Sequence, residues 1–119
     1  MSGRLTTHVL DLTQGRPAAD LTIELHRIDP SGKTMLLKTM RTDSDGRTSS
    51  PLLQGDELQV GNYEIVFIVG DYFGTQGEPA STPPFLDRIP IRFGISDADA
   101  HYHVPLLVSP WSYSTYRGS

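Results

Sequence analysis

Glycine and proline, 11 and 9 of them, interrupt this chain so often that its apolar residues fall into short runs bounded by turns. Runs of that kind read as strands, so the chain is expected to be all-β, a sandwich or a barrel. Leu5 to Asp11 is a first strand with Thr6, His8 and Leu10 on one face. After a turn at Gln14-Gly15-Arg16-Pro17, Leu21, Ile23 and Leu25 alternate with Thr22, Glu24 and His26, the period of two that marks a half-buried strand. Asp29 to Gly32 turns the chain into a strand near Thr34 to Thr42. A second turn, Asp43-Ser44-Asp45-Gly46, delivers Arg47. Gly61 to Gly70 is nearly continuously apolar and β-branched, as a central strand should be. Asp71 to Gln76 suits one short helix with Asp71 near its N-cap, and Glu78 to Pro84 is a proline-rich loop. Ile89, Ile91, Phe93 and Ile95 alternate again. Pro90 has no N–H to give a ladder, which points to an edge strand. Asp97-Ala98-Asp99 turns into His101 to Val108, Pro110 breaks that strand, and Trp111 to Tyr116 is the last candidate. Periodicity alone stops at a sandwich of seven or eight strands.

At 119 residues, without repeat, linker or low-complexity segment, residues 1–119 are expected to form a single domain. A net charge of -4 argues against nucleic-acid or anionic-membrane partners, which need a basic face. Cysteine is absent, so disulfides and thiolate metal sites are excluded. Neither a signal peptide nor a spanning apolar stretch is read, and the expected location is cytoplasmic.

Histidine is the usual general acid or base near neutral pH. The chain has four: His8, His26, His101 and His103. On its neighbours alone, His8 reads as a strand histidine packed against polar residues. His101 and His103, two apart on a strand, point to one face, with Tyr102, Val104 and Leu106 on the other. That pair fits proton transfer, or a metal if a third ligand existed. Arg47 is either solvated or a planar fork for a carbonyl or a heterocycle edge. The end of the chain is aromatic where termini are commonly frayed and polar.

The segment His101-Tyr102-His103-Val104-Pro105-Leu106-Leu107, followed by Ser109-Pro110 and by Tyr113-Ser114-Thr115-Tyr116-Arg117-Gly118-Ser119, resembles the signature of the 5-hydroxyisourate hydrolases, the transthyretin-related family. The closing Tyr-Arg-Gly-Ser is that family's hallmark and is lacking in the hormone carrier transthyretin. Leu5-Thr6-Thr7-His8-Val9-Leu10-Asp11 with Gly15-Arg16-Pro17-Ala18 is similar to its first motif, and Thr42-Asp43 with Asp45-Gly46-Arg47 to its second. Ser112 after Trp111 departs from the family's aromatic-glycine pair. The resemblance implies a sandwich of two four-stranded antiparallel sheets with one short helix. It also implies a homotetramer with active sites at a subunit interface. The implied activity is metal-independent hydrolysis, without cofactor, of the cyclic amide of 5-hydroxyisourate to 2-oxo-4-hydroxy-4-carboxy-5-ureidoimidazoline in urate degradation. His8, Arg47, His103 and Ser119 would be catalytic, and His8, Arg47, Tyr116 and Ser119 would bind substrate. A transthyretin-like carrier with a small ligand in a central channel is the alternative.

Overall fold

The computed structural model describes residues 3–77 and 81–118. Among the described residues, nine strands form two sheets. One sheet runs β4 (Thr34–Arg41), β3 (Thr22–Ile28), β6 (Gly61–Ile68), β7 (Arg88–Ile95), antiparallel throughout. The other runs β2 (Arg16–Pro17), β1 (Arg4–Asp11), β8 (His101–Val108), β9 (Tyr113–Thr115), with β5 (Leu53–Gln54) also on β1.

The alternating residues do what a period of two requires. Leu5 and Val9, Ile23 and Leu25, and Tyr102, Val104 and Leu106 turn inward, and Tyr63, Ile65 and Phe67 of β6 meet them in the core between the sheets. Each such side chain taken from water contributes about 1.5–3 kcal/mol. β6 lies between β3 and β7 and is buried on both faces from Ile65 to Ile68, which accounts for its unbroken apolar run. β7 is an edge strand, so Pro90 costs no ladder bond on its open side.

The sandwich, with one α-helix among the described residues, matches the expected architecture; the second sheet differs in two respects. It has five strands, because the two-residue β2 and β5 pair with opposite ends of β1. It is also mixed: β1 and β8 run parallel from Arg4↔His101 to Asp11↔Val108. Antiparallel neighbours come from hairpins, whereas these two strands are joined through the whole other sheet, so no tight turn dictates their direction. The helix α1 (Val69–Thr75) starts before Asp71, which sits in its first turn, with Ile68 at the N-cap. The backbone N–H groups of Val69 and Gly70 both donate to the Asp87 carbonyl at 2.9 Å, so neighbouring backbone replaces a side-chain cap. Buried Asp11 ties α1 to β1. One carboxylate oxygen accepts the Tyr72 hydroxyl at 2.8 Å and the other the Thr13 N–H at 2.8 Å. Burial, and then the Asp11 carboxylate, push the Tyr72 phenol well above its ordinary range. The loop expected over Glu78 to Pro84 lies partly outside the described residues. No helix among the described residues is long and apolar enough to cross a membrane.

Candidate active site

Strand alternation puts Thr6 and His8 of β1 and His101 and His103 of β8 on the face away from the core, all half-buried. Parallel register sets Thr6 beside His103 and Arg4 beside His101. Thr6 therefore faces one imidazole directly and the other diagonally. Its Oγ1 is 2.8 Å from His103 Nδ1 and 2.9 Å from His101 Nε2.

Arg47 arrives from the turn before it. The Asp43 carboxylate accepts the Asp45 and Arg47 N–H groups at 2.9 and 3.2 Å, closing the loop. Gly46 has φ +76, and a Cβ there would run into the Val9 carbonyl oxygen, so glycine alone fits the point where loop meets strand. The loop is fixed to β1 by Val9 N–H donating to the Gly46 carbonyl at 2.8 Å and by His8 Nε2–H donating to the Asp45 carbonyl at 2.8 Å. The second bond defines His8: a carbonyl can only accept, so Nε2 carries hydrogen and Nδ1 is the nitrogen left for proton exchange.

These elements border a cavity of about 420 Å3, lined by Arg4, Thr6, Arg47, residues 48–50, His101 and His103 among others. Arginines, imidazoles and hydroxyls dominate it, and among the described residues no carboxylate lines it. His103 is held below the ordinary imidazole value by desolvation first, then by the charges of Arg47, His101 and His8. His101 is lowered by desolvation and by Arg4. Both rings are therefore neutral at neutral pH and able to take up a proton.

The end of the chain lies along the same face. The Gly118 N–H donates to the His103 carbonyl at 2.8 Å. A Cβ on Gly118 would stand 2.5 Å from His103 Cδ2, so the bare glycine backbone packs directly on the imidazole. The Arg117 guanidinium stacks over Tyr102 at 4.2 Å and donates to the His101 carbonyl at 3.4 Å. The turn before β9 is closed by Ser109 N–H donating to the Ser112 backbone carbonyl at 2.9 Å.

His8, Arg47 and His103 are thus gathered on one face, with His8 near enough to bear electrostatically on His103. Tyr116 is not with them: it is 60% exposed and lines a separate cavity of about 290 Å3 beside Ile91, Phe93 and Tyr102. Ser119 lies outside the described residues. His26 is on the other sheet, bonded to Glu24. Sequence reasoning missed Thr6, and it read His101 only as one of a histidine pair, outside the named site residues. The period of two had put Thr6 on the His8 face, but which strand lay alongside was not legible.

The sequence profile of the HIUase/Transthyretin family matches residues 5–118. The chain is 55% identical over 118 residues to 5-hydroxyisourate hydrolase 2 of Rhizobium meliloti (strain 1021), covering 99% of this chain and 98% of that one. Among solved structures, an (S)-allantoin synthase superposes with a TM-score of 0.93 at 52% identity; the match covers 99% of this chain and 44% of that longer one. Transthyretin from Sparus aurata superposes with a TM-score of 0.85 at 26% identity, covering 97% of this chain and 96% of that one. The family profile over nearly the whole chain, and an identity to a hydrolase more than twice that to the transthyretin, place the chain in the HIUase/transthyretin family.

Proposed function

We propose that the chain is a 5-hydroxyisourate hydrolase, a single-domain enzyme that opens the six-membered ring of its substrate with water. The observation that carries this reading is the meeting of His103 and Arg47 at one polar cavity, with His8 on the same face of the sheet and near enough to bear electrostatically on His103. Opening a cyclic amide needs a group to take the proton of water, a donor for the developing oxyanion and a clamp for the flat ring. Arg47 supplies the clamp and the polarising charge through its guanidinium fork. His8 and His103 form the acid–base pair. His8 exchanges its proton at Nδ1, because Nε2–H is committed to Asp45. His103 exchanges at Nε2, because Nδ1 is committed to Thr6. Water activation is assigned to imidazole, with no metal ion in the mechanism and no cofactor. Tyr116 and Ser119 are assigned to substrate binding from the family's terminal tetrapeptide. A carrier of an apolar ligand fits less well, since arginines and imidazoles line the cavity.

The test is an absorbance assay. Purified protein is mixed with freshly generated 5-hydroxyisourate, and the ultraviolet decay is followed with the spontaneous reaction subtracted. Accelerated decay supports the reading; decay at the spontaneous rate with folded protein overturns it. Arg47→Lys keeps the charge and loses the fork, so kcat/KM in this assay is expected to fall by about 10- to 100-fold, the cost of a strong charge-assisted hydrogen bond. Wild-type kinetics would reduce Arg47 to a point charge.

The active unit is proposed to be a homotetramer. β4 and β7 are the open edges of one sheet and β9 ends the other, and open edges invite pairing between copies. Tyr116, which lines a different cavity of its own chain, would then act from a neighbouring subunit. Sedimentation equilibrium should give four chains per particle, and a fully active monomer would refute this assembly.

A further inference from the structure

One side chain that the acid–base assignment leaves unused stands between two imidazoles. Thr6 Oγ1 contacts His103 Nδ1 at 2.8 Å and His101 Nε2 at 2.9 Å, and the two rings are otherwise apart, 6.3 Å between centroids. A hydroxyl has one proton. It can donate to only one of these nitrogens and must accept from the other. The two tautomers are therefore locked in opposition. If His103 carries hydrogen on Nδ1, Thr6 accepts it and donates to a bare His101 Nε2. If His101 carries hydrogen on Nε2, Thr6 accepts that and donates to a bare His103 Nδ1.

We propose that Thr6 and His101 are positioning residues that form a proton relay behind His103. The inference rests on the hydrolase reading and deepens it. When His103 takes a proton at Nε2, its Nδ1–H passes to Thr6 Oγ1, and the Thr6 proton passes to His101 Nε2. One N–H bond forms at each end, one O–H bond is exchanged in the middle, and the positive charge comes to rest on His101. When His103 gives its Nε2 proton to the leaving ring nitrogen, the same three transfers run backwards and both rings return to neutral. No other reactant is consumed. The relay matters because of what faces His103: Arg47 from its loop and His8 from β1 would oppose a charge held there. His101 has Arg4 beside it on β1, and the Arg117 guanidinium at its carbonyl. Neither ring is an easy place for a full charge, and sharing it across two rings spreads the cost.

Three variants test this. Thr6→Val keeps the β-branched shape and removes the hydroxyl, Thr6→Ser keeps the hydroxyl, and His101→Gln removes the terminal imidazole. In Thr6→Val, kcat should fall about 10- to 100-fold, less than the loss of a direct acid–base group, with KM unchanged within about twofold. Thr6→Ser should restore kcat to within about threefold. Thr6→Val with His101→Gln should lose no more than either alone, because both break one path. Nitrogen-15 shifts of the histidine rings, recorded without substrate, should show His103 Nδ1 moving in Thr6→Val and holding in Thr6→Ser. Losses that add, or a folded His101→Gln with wild-type kcat, would overturn the relay, as would an unmoved Nδ1 signal in Thr6→Val. Should wild-type protein fail to accelerate substrate decay, the hydrolase reading falls, while the nitrogen shifts still decide whether Thr6 links the two rings.

Discussion

Replacing His103 with alanine is expected to lower kcat by about two to four orders of magnitude, the usual contribution of a group that transfers a proton in the transition state. The protein should remain folded, because the imidazole lies on the face of β8 away from the core while Tyr102, Val104 and Leu106 stay buried. His8→Ala should show a loss of the same order, and His26→Ala, on the other sheet, should behave as wild type. The absorbance assay with circular dichroism on each variant decides the matter, and near-normal rates in both His8→Ala and His103→Ala would remove the acid–base assignment. The pH profile carries a further sign. Desolvation, Arg47, His101 and His8 all hold His103 below the ordinary imidazole value of 6.5. The neutral, competent form therefore persists into mildly acid solution, and the acidic limb of the profile should lie below that value. Stability follows the same direction. The folded state binds its proton less readily than the unfolded chain, so the contribution is full above 6.5 and is lost as pH falls through the lower folded value.

Deleting residues 116–119 should leave a folded sandwich that has lost most of its activity, on the order of 100-fold or more, as expected when a catalytic group is misplaced by about 1 Å. The cut falls after β9, so the β8–β9 ladder and the Thr115 hydroxyl donating to the Pro105 carbonyl at 2.7 Å are kept. What goes is the backing of His103: the Gly118 N–H on its carbonyl and the glycine backbone against its ring. The Arg117 contacts to Tyr102 and to the His101 carbonyl go with it. Gly118→Ala should reproduce part of the loss, since its Cβ would sit 2.5 Å from His103 Cδ2 and either tail or ring must give way. A truncate that is folded by circular dichroism and fully active would show that the tail takes no part in the site.

What could be read from the sequence was whatever one strand or one turn determines. Alternation separated the two faces of β1, β3 and β8 and put His101 with His103. Pro90 marked an edge. The Asp43–Gly46 turn singled out Arg47, and the terminal motif marked the tail. What could not be read depends on which strands lie side by side. Thr6 meets His101 and His103 across sequence separations of 95 and 97 residues, and no local pattern encodes that pairing. The two-residue strands β2 and β5 are too short to show a period. The helix start was misplaced because its cap is the Asp87 carbonyl, a backbone group that composition does not reveal. The bare backbone of Gly118 leaves room for His103, a contact between the tail and β8 that no local pattern encodes.

The parallel union of β1 with β8 has a consequence for how the molecule is made. In the other sheet β3 pairs with β4 and β6 with β7, strands that follow one another along the chain, whereas the His103–Thr6 link closes a loop of 97 residues. Closing so long a loop carries an entropic cost that local pairings escape. A nascent polypeptide that has not yet reached β8 carries Thr6 and His8 but lacks the His101 and His103 of the strand paired with them, whatever else has already folded. On the proposed site assignment, turnover tells whether the two distant strands have found each other, which secondary-structure content alone cannot report.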